Sequence, residues 1–96
     1  MATKQKISIN ELIRIADKAY NHDGIIAECW DFTKERPIPH PQSLLTGDGL
    51  SYFIVCELFE TYNQTDSREA QIDEAVRVLS SASEQLNRVI DAITRA

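Results

Sequence analysis

The chain has 96 residues, 43% of them apolar and 26% charged, with a formal net charge of −5. That length allows one hydrophobic core and one domain, and the composition excludes disordered and fibrous classes. The acidic balance disfavours nucleic-acid phosphates as a partner, and the longest apolar run, Tyr52 to Cys56, is too short to enter a membrane as a span.

At the amino end, Met1 to Lys6 is polar and basic, but Asn10, Glu11 and Arg14 interrupt the apolar residues after it. No signal peptide is read there, and a cytoplasmic location is expected. The first helix is announced by Ser8 and Glu11, a capping box, with Ile7 and Leu12 as its hydrophobic staple. Ile9, Leu12, Ile13, Ala16, Ala19 and Tyr20 then recur on one face, and the Asn21–Gly24 tetrapeptide supplies a stop. These signals together predict a helix over Ile9–Asn21.

The next segment, Gly24–Phe32, carries two patterns. Ile25, Ile26, Cys29 and Trp30 fit a helical stripe with Asp23 as N-cap, whereas Ile26, Glu28, Trp30 and Phe32 alternate as in a strand. A lone strand has no obvious partner, so a short helix is expected. Residues 36–47 contain Pro37, Pro39 and Pro41, which remove amide donors and push their predecessors toward extended geometry. They read as an extended connector.

From Leu50 to Tyr62, the residues Tyr52, Ile54, Val55, Cys56, Leu58, Phe59 and Tyr62 cover an arc of about 200° on a helical wheel. Glu57, Glu60 and Thr61 share the remaining strip with Leu50 and Phe53. So wide an apolar arc implies a central helix touched on two sides. Cys29 and Cys56 both lie in apolar segments and are expected as reduced core residues.

The last third, Asp66–Arg95, reads as one long amphipathic helix. Ile72, Val76, Leu79, Leu86, Ile90 and Ile93 alternate at steps of four and three, with Ser83 alone interrupting. Asp66 and Glu69 repeat the capping logic, and Asp73–Arg77, Glu84–Arg88 and Asp91–Arg95 are acid-before-base pairs on the opposite face. Ser80, Ser81 and Ser83 are poor helix formers, and Ser81 with Glu84 offers a capping box for a second helix. Against a break, Leu79 and Leu86 keep phase, so continuity is expected, with the serines as a close crossing point. Read as a heptad, the g positions Ala75, Ala82, Val89 and Ala96 are all apolar, which favours a broad bundle face over a two-stranded zipper.

Chemistry-bearing groups are sparse. His22, Cys29, His40 and Cys56 lack the close pairing of a zinc site, and no cofactor motif is present. Glu28-x-x-Asp31 and Glu57-x-x-Glu60 each set two carboxylates one turn apart, a pattern able to hold Mg²⁺ with waters and substrate phosphates. These four residues resemble the ExxE and ExxD segments of the all-helical MazG-type nucleotide pyrophosphohydrolases. In that family ExxE comes first; here the order is inverted, and Lys34 and Arg36 are the basic residues nearby. The resemblance implies a Mg²⁺-dependent nucleotide hydrolase. Read from the residues alone, Glu57 and Glu60 are the solvated strip of the central helix, and no metal site is expected.

The expected architecture is all-α, a helical hairpin of central and final helices against which the amino-terminal helices fold. A helix of thirty residues is ~45 Å long, against a diameter of about 30 Å for a compact chain of this size. Its overhanging stripe of Ile72, Val76, Leu79, Ser83, Leu86, Ile90 and Ile93 therefore calls for a partner. A homodimer completing a four-helix-bundle-like core is expected, the alternative being a monomer whose surplus stripe binds a different protein. The function expected is that of a non-enzymatic interaction module, with the Mg²⁺-dependent hydrolase as the alternative.

Overall fold

The computed structural model describes residues 6–20, 24–39, 49–81 and 86–96. Helix α1, Ile9–Tyr20, forms as its local signals dictate. The Ser8 hydroxyl accepts the Glu11 amide at 3.2 Å, and the stapling residues Ile7 and Leu12 are both buried. Ile9, Leu12, Ile13 and Ala16 form its buried stripe. The expected last residue, Asn21, lies outside the described residues, as does Asp23.

Gly24–Phe32 is not the short helix expected. A 3-10 turn at Ala27–Cys29 leads into strand β1, Trp30–Asp31, which pairs antiparallel with β2, Arg36–Pro37. The strand's partner was concealed in the proline-rich stretch, whose extended geometry suits pairing. Trp30 faces Pro37 in the register, and the amide of Ile38, one residue on, donates to the Cys29 carbonyl at 2.9 Å. The tight turn is closed by the Asp31 carboxylate, which accepts the amides of Thr33 and Lys34, each at 3.0 Å. Glu35 completes it in the left-handed region, φ 55°, where its amide reaches the Asp31 carbonyl at 2.7 Å.

Two polar side chains of α1 seat this hairpin. Asp17 Oδ1 accepts the amides of Ile26 and Ala27 at 3.1 and 3.2 Å, capping the 3-10 turn from a neighbouring helix. Asn10 Oδ1 accepts the Trp30 indole N–H at 2.8 Å while its Nδ2 donates to the Phe32 carbonyl at 3.1 Å. Trp30, so oriented, lies 5.6 Å from the Phe59 ring in a tilted arrangement.

Helix α2, Gly49–Gln64, buries Ser51, Ile54, Val55, Leu58 and Thr61. Thr61, expected in the solvated strip, is 2% exposed, and Tyr52, Cys56, Phe59 and Tyr62 are only half-buried. The buried arc is therefore narrower than expected and turned toward the small residues at its ends, where Ser51 Oγ lies 3.8 Å from Cys29 Sγ.

The final rod is broken. Helix α3, Arg68–Ser80, starts two residues later than expected, with Ser67 instead of Asp66 as N-cap: its Oγ accepts the Ala70 amide at 3.2 Å. At its other end Ser80 and Ser81 turn their hydroxyls onto the carbonyls of Arg77 and Val78, at 3.2 and 2.8 Å, competing with helix continuation. Helix α4 resumes at Asn87 and runs to Arg95. The two approach within 8 Å between Cα atoms, whereas residues seven apart in one straight helix lie about 10 Å apart. Helices α3 and α4 thus lie side by side and do not form one rod; Ser83 and Glu84 lie outside the described residues.

Among the described residues four α-helices contribute to one core, with α1 packed on α2 and α4, and α3 packed on α2 and α4. Its centre holds Leu12, Ile13, Ile54, Leu58, Leu79, Leu86 and Ile93, all fully buried. One polar residue joins them. Gln71 of α3 is fully buried and pairs at two points with the Ile7 backbone, Oε1 accepting its amide at 2.8 Å and Nε2 donating to its carbonyl at 2.9 Å. Beside it Lys6 Nζ donates to the carbonyls of Tyr62 and Thr65 at 2.6 and 2.7 Å, over the Tyr62 ring at 3.9 Å.

Replacing Gln71 with Leu keeps the volume but strands a buried amide and a buried carbonyl. Each unmet group costs about 1–3 kcal/mol, so Gln71→Leu should lower the urea-unfolding free energy by roughly 2–4 kcal/mol. A change below about 0.5 kcal/mol, the scale of ordinary surface substitutions, would refute the pairing's importance.

Candidate interaction face

The buried seat of Gln71 decides which side of α3 faces out. The stripe expected on this helix was Ile72, Val76 and Leu79; the stripe that is buried is Gln71, Ala75 and Leu79. With Leu79 common to both stripes and about 100° per residue, the buried face is rolled by roughly 70°, so Ile72 and Val76 move to the edge of the interface and are half-buried. Helix α4 departs from expectation in the same sense. Val89 and Ile93 are buried with Leu86, and Ile90 is half-buried.

Of the seven residues expected to meet a partner, Leu79, Leu86 and Ile93 are thus spent inside the chain, each 0% exposed. Ser83 lies outside the described residues. Ile72, Val76 and Ile90 remain reachable. Ile90 also lines an open depression of about 430 Å³ together with Asn87, Arg88, Asp91 and Thr94, all on the outer side of α4. Elsewhere, Phe53 on α2 is the large apolar residue most open to solvent among those described, at 37%.

Charges of both signs lie near this face, two pairs of them in contact and Asp73 and Arg88 exposed beside them. Asp91 and Arg95 form the expected i,i+4 ion pair at 2.6 Å. Arg77 pairs with Glu74, one turn away, and not with Asp73; its Nε donates to Glu74 Oε1 at 3.2 Å. That hydrogen bond from Arg77 holds the Glu74 carboxyl below its ordinary value. Both pairs sit at the surface, where such contacts add little stability and chiefly set which groups line the rim.

The four carboxylates of the hydrolase pattern do not assemble. Glu28 is exposed beside the hairpin, and Asp31 Oδ1 accepts the turn amides of both Thr33 and Lys34. Glu57 is half-buried on α2, and Glu60 is exposed and accepts Gln64 Nε2 at 3.3 Å. Among the described residues no three His, Cys, Asp or Glu side chains gather as a metal ion requires. The inverted segments fall on elements of different type, a hairpin and a helix, which removes the facing-helix geometry that the pattern assumed.

The thiols are likewise structural in their surroundings. Cys29 is buried and donates to the Ile25 carbonyl at 3.5 Å. Cys56 is half-buried and its thiol is pushed up by burial, which keeps it from the thiolate form. Neither lies in a disulfide. Sequence reasoning missed Gln71, Asn10, Asp17 and Lys6 altogether. One signal was available: Gln71, Ala75 and Leu79 also recur at helical spacing, a stripe with a polar member.

Compared with known proteins, the chain matches no family model, no curated protein and no solved structure. Among the described residues no helix is long and apolar enough to cross a membrane.

The Asp31 turn has a pH signature. The Lys34 amide, ahead of the opposing effect of burial and of the Thr33 amide, holds the Asp31 carboxyl below its ordinary value. A depressed carboxyl stabilises the fold above its unfolded-state value, and that contribution is lost as pH falls through the folded-state one. A carboxyl titration followed by NMR should place Asp31 below the ordinary aspartate value. An Asp31 titrating at or above that ordinary value would contradict the turn.

Proposed function

We propose that this chain is a non-enzymatic interaction module that acts as a homodimer, pairing through the outer edge of α3 and α4. The observation carrying the reading is the rotation of both helices, which leaves Ile72, Val76 and Ile90 half-exposed at the rim of the core, where Ile72 and Ile90 pack by one side only. A second copy is the occupant because the rim is charge-balanced. A two-fold interface sets a patch against itself, and the Glu74–Arg77 and Asp91–Arg95 pairs give each copy both signs to offer. An unrelated partner selected by charge would instead favour a rim of one sign. In this reading the four helices form a bundle within one chain, and the second copy adds to it instead of completing an open hairpin. The hydrolase alternative needs Glu28, Asp31, Glu57 and Glu60 around one cation, and no observation favours it.

Light scattering coupled to size exclusion should return about twice the chain mass of 10.9 kDa at micromolar concentration. Val76→Asp with Ile90→Asp should return the single-chain mass with an unchanged circular dichroism spectrum. A wild-type chain that stays at single-chain mass, or a double variant that still dimerises, overturns the proposal.

A further inference from the structure

The Lys6 ammonium occupies a socket with three components. The carbonyls of Tyr62 and Thr65, at the carboxyl end of α2, accept from Nζ at 2.6 and 2.7 Å, and the Tyr62 ring lies 3.9 Å below. All three favour a cation: the first two are the electron-rich end of a helix, the third a ring face. One residue on, Ile7 is 5% exposed, and its amide and carbonyl are both held by the buried Gln71 side chain. Lys6 and Ile7 therefore form a strap across the junction of α2 and α3, with a charge at one end and a buried polar lock at the other. Lys18 and Lys34, by contrast, are exposed and take part in no such socket.

We propose that Lys6 is an acylation-sensitive latch: Nε-acylation and strap docking exclude each other, so modification opens the strap at Ile7 and uncovers Gln71. The docked ammonium has two of its three protons committed to carbonyls and no lone pair to attack with. Once the strap opens and Nζ gives up a proton, its lone pair can attack the carbonyl carbon of an acyl thioester. A C–N bond forms, the C–S bond breaks, and the sulfur leaves as a thiol with one of the two protons still on nitrogen. The product amide is neutral and keeps one N–H in place of three, so it can neither satisfy two carbonyls nor sit over the ring as a cation. The inference is independent of the pairing proposed above, because the socket lies at the α2–α3 junction and its readouts do not involve association.

The full chain treated with N-acetoxysuccinimide, with labelling read by peptide mass spectrometry, should modify Lys6 about tenfold or more slowly than Lys18 and Lys34. Amide exchange at Ile7 should quicken about tenfold or more in Lys6→Gln and stay near wild type in Lys6→Arg, with Leu58 unchanged in both. Labelling of Lys6 as fast as Lys18, or Ile7 exchange equal in Lys6→Gln and wild type, overturns the latch. So does loss of protection at Leu58 together with Ile7, since a latch opens without the core.

Discussion

The pairing of the Gln71 side chain with the Ile7 backbone is the constraint on which the remaining geometry depends. An amide buried at 0% exposure has three choices: pair, carry water inward, or stay out. Here its oxygen and one N–H pair with the Ile7 amide and carbonyl, replacing hydrogen bonds that these groups would otherwise make to water. Because Ile7 immediately precedes the cap of α1, that contact joins the first helix to the third across 64 residues. It also sets the roll of α3. With Gln71 inward, Ala75 and Leu79 follow it into the core, and Ile72 and Val76 are carried to the edge. A polar residue thereby decides which apolar residues stay at the edge of the core.

A second set of polar ties does for the hairpin what Gln71 does for α3. Two strands of two residues each cannot hold together alone in water. Asn10 and Asp17, about two turns apart on α1, grip the Trp30 indole, the Phe32 carbonyl and the amides of Ile26 and Ala27. Arg14, between them on the helix, lies over the Phe32 ring at 4.9 Å. The hairpin is thus less a sheet than a loop moulded onto α1, with Trp30 as the apolar plug beneath it.

What could be read in advance separates along the line between local and non-local causes. The start of α1 was legible because Ser8, Glu11, Ile7 and Leu12 act within one turn. The hairpin was not, because the partner of Trp30–Asp31 lay in a segment whose prolines announced only extension. The break in the last third escaped for a subtler reason. Leu79 and Leu86 are seven residues apart, and seven residues return a side chain to the same face of a continuous helix. Two helices that fold back onto one core also present them inward, so phase tests burial and not continuity. The serines carried the missing information, through hydroxyls that take the carbonyls of Arg77 and Val78.

The break also changes why a partner is expected. An overhanging rod demands one by length, since its stripe has nothing to cover it. Folded back, the same residues bury Leu79, Leu86, Val89 and Ile93 within one chain, and length ceases to be an argument. What remains is smaller and more specific. Each helix has a surplus of apolar residues over the width of its buried face, because the core accepts a narrow stripe and the sequence supplies a wide one. Ala75 and Val89, which made the heptad reading too apolar at its g positions, are the residues that went in. Their inclusion displaced Ile72, Val76 and Ile90, so the apolar excess that argued against a simple zipper is the same excess now standing at the surface.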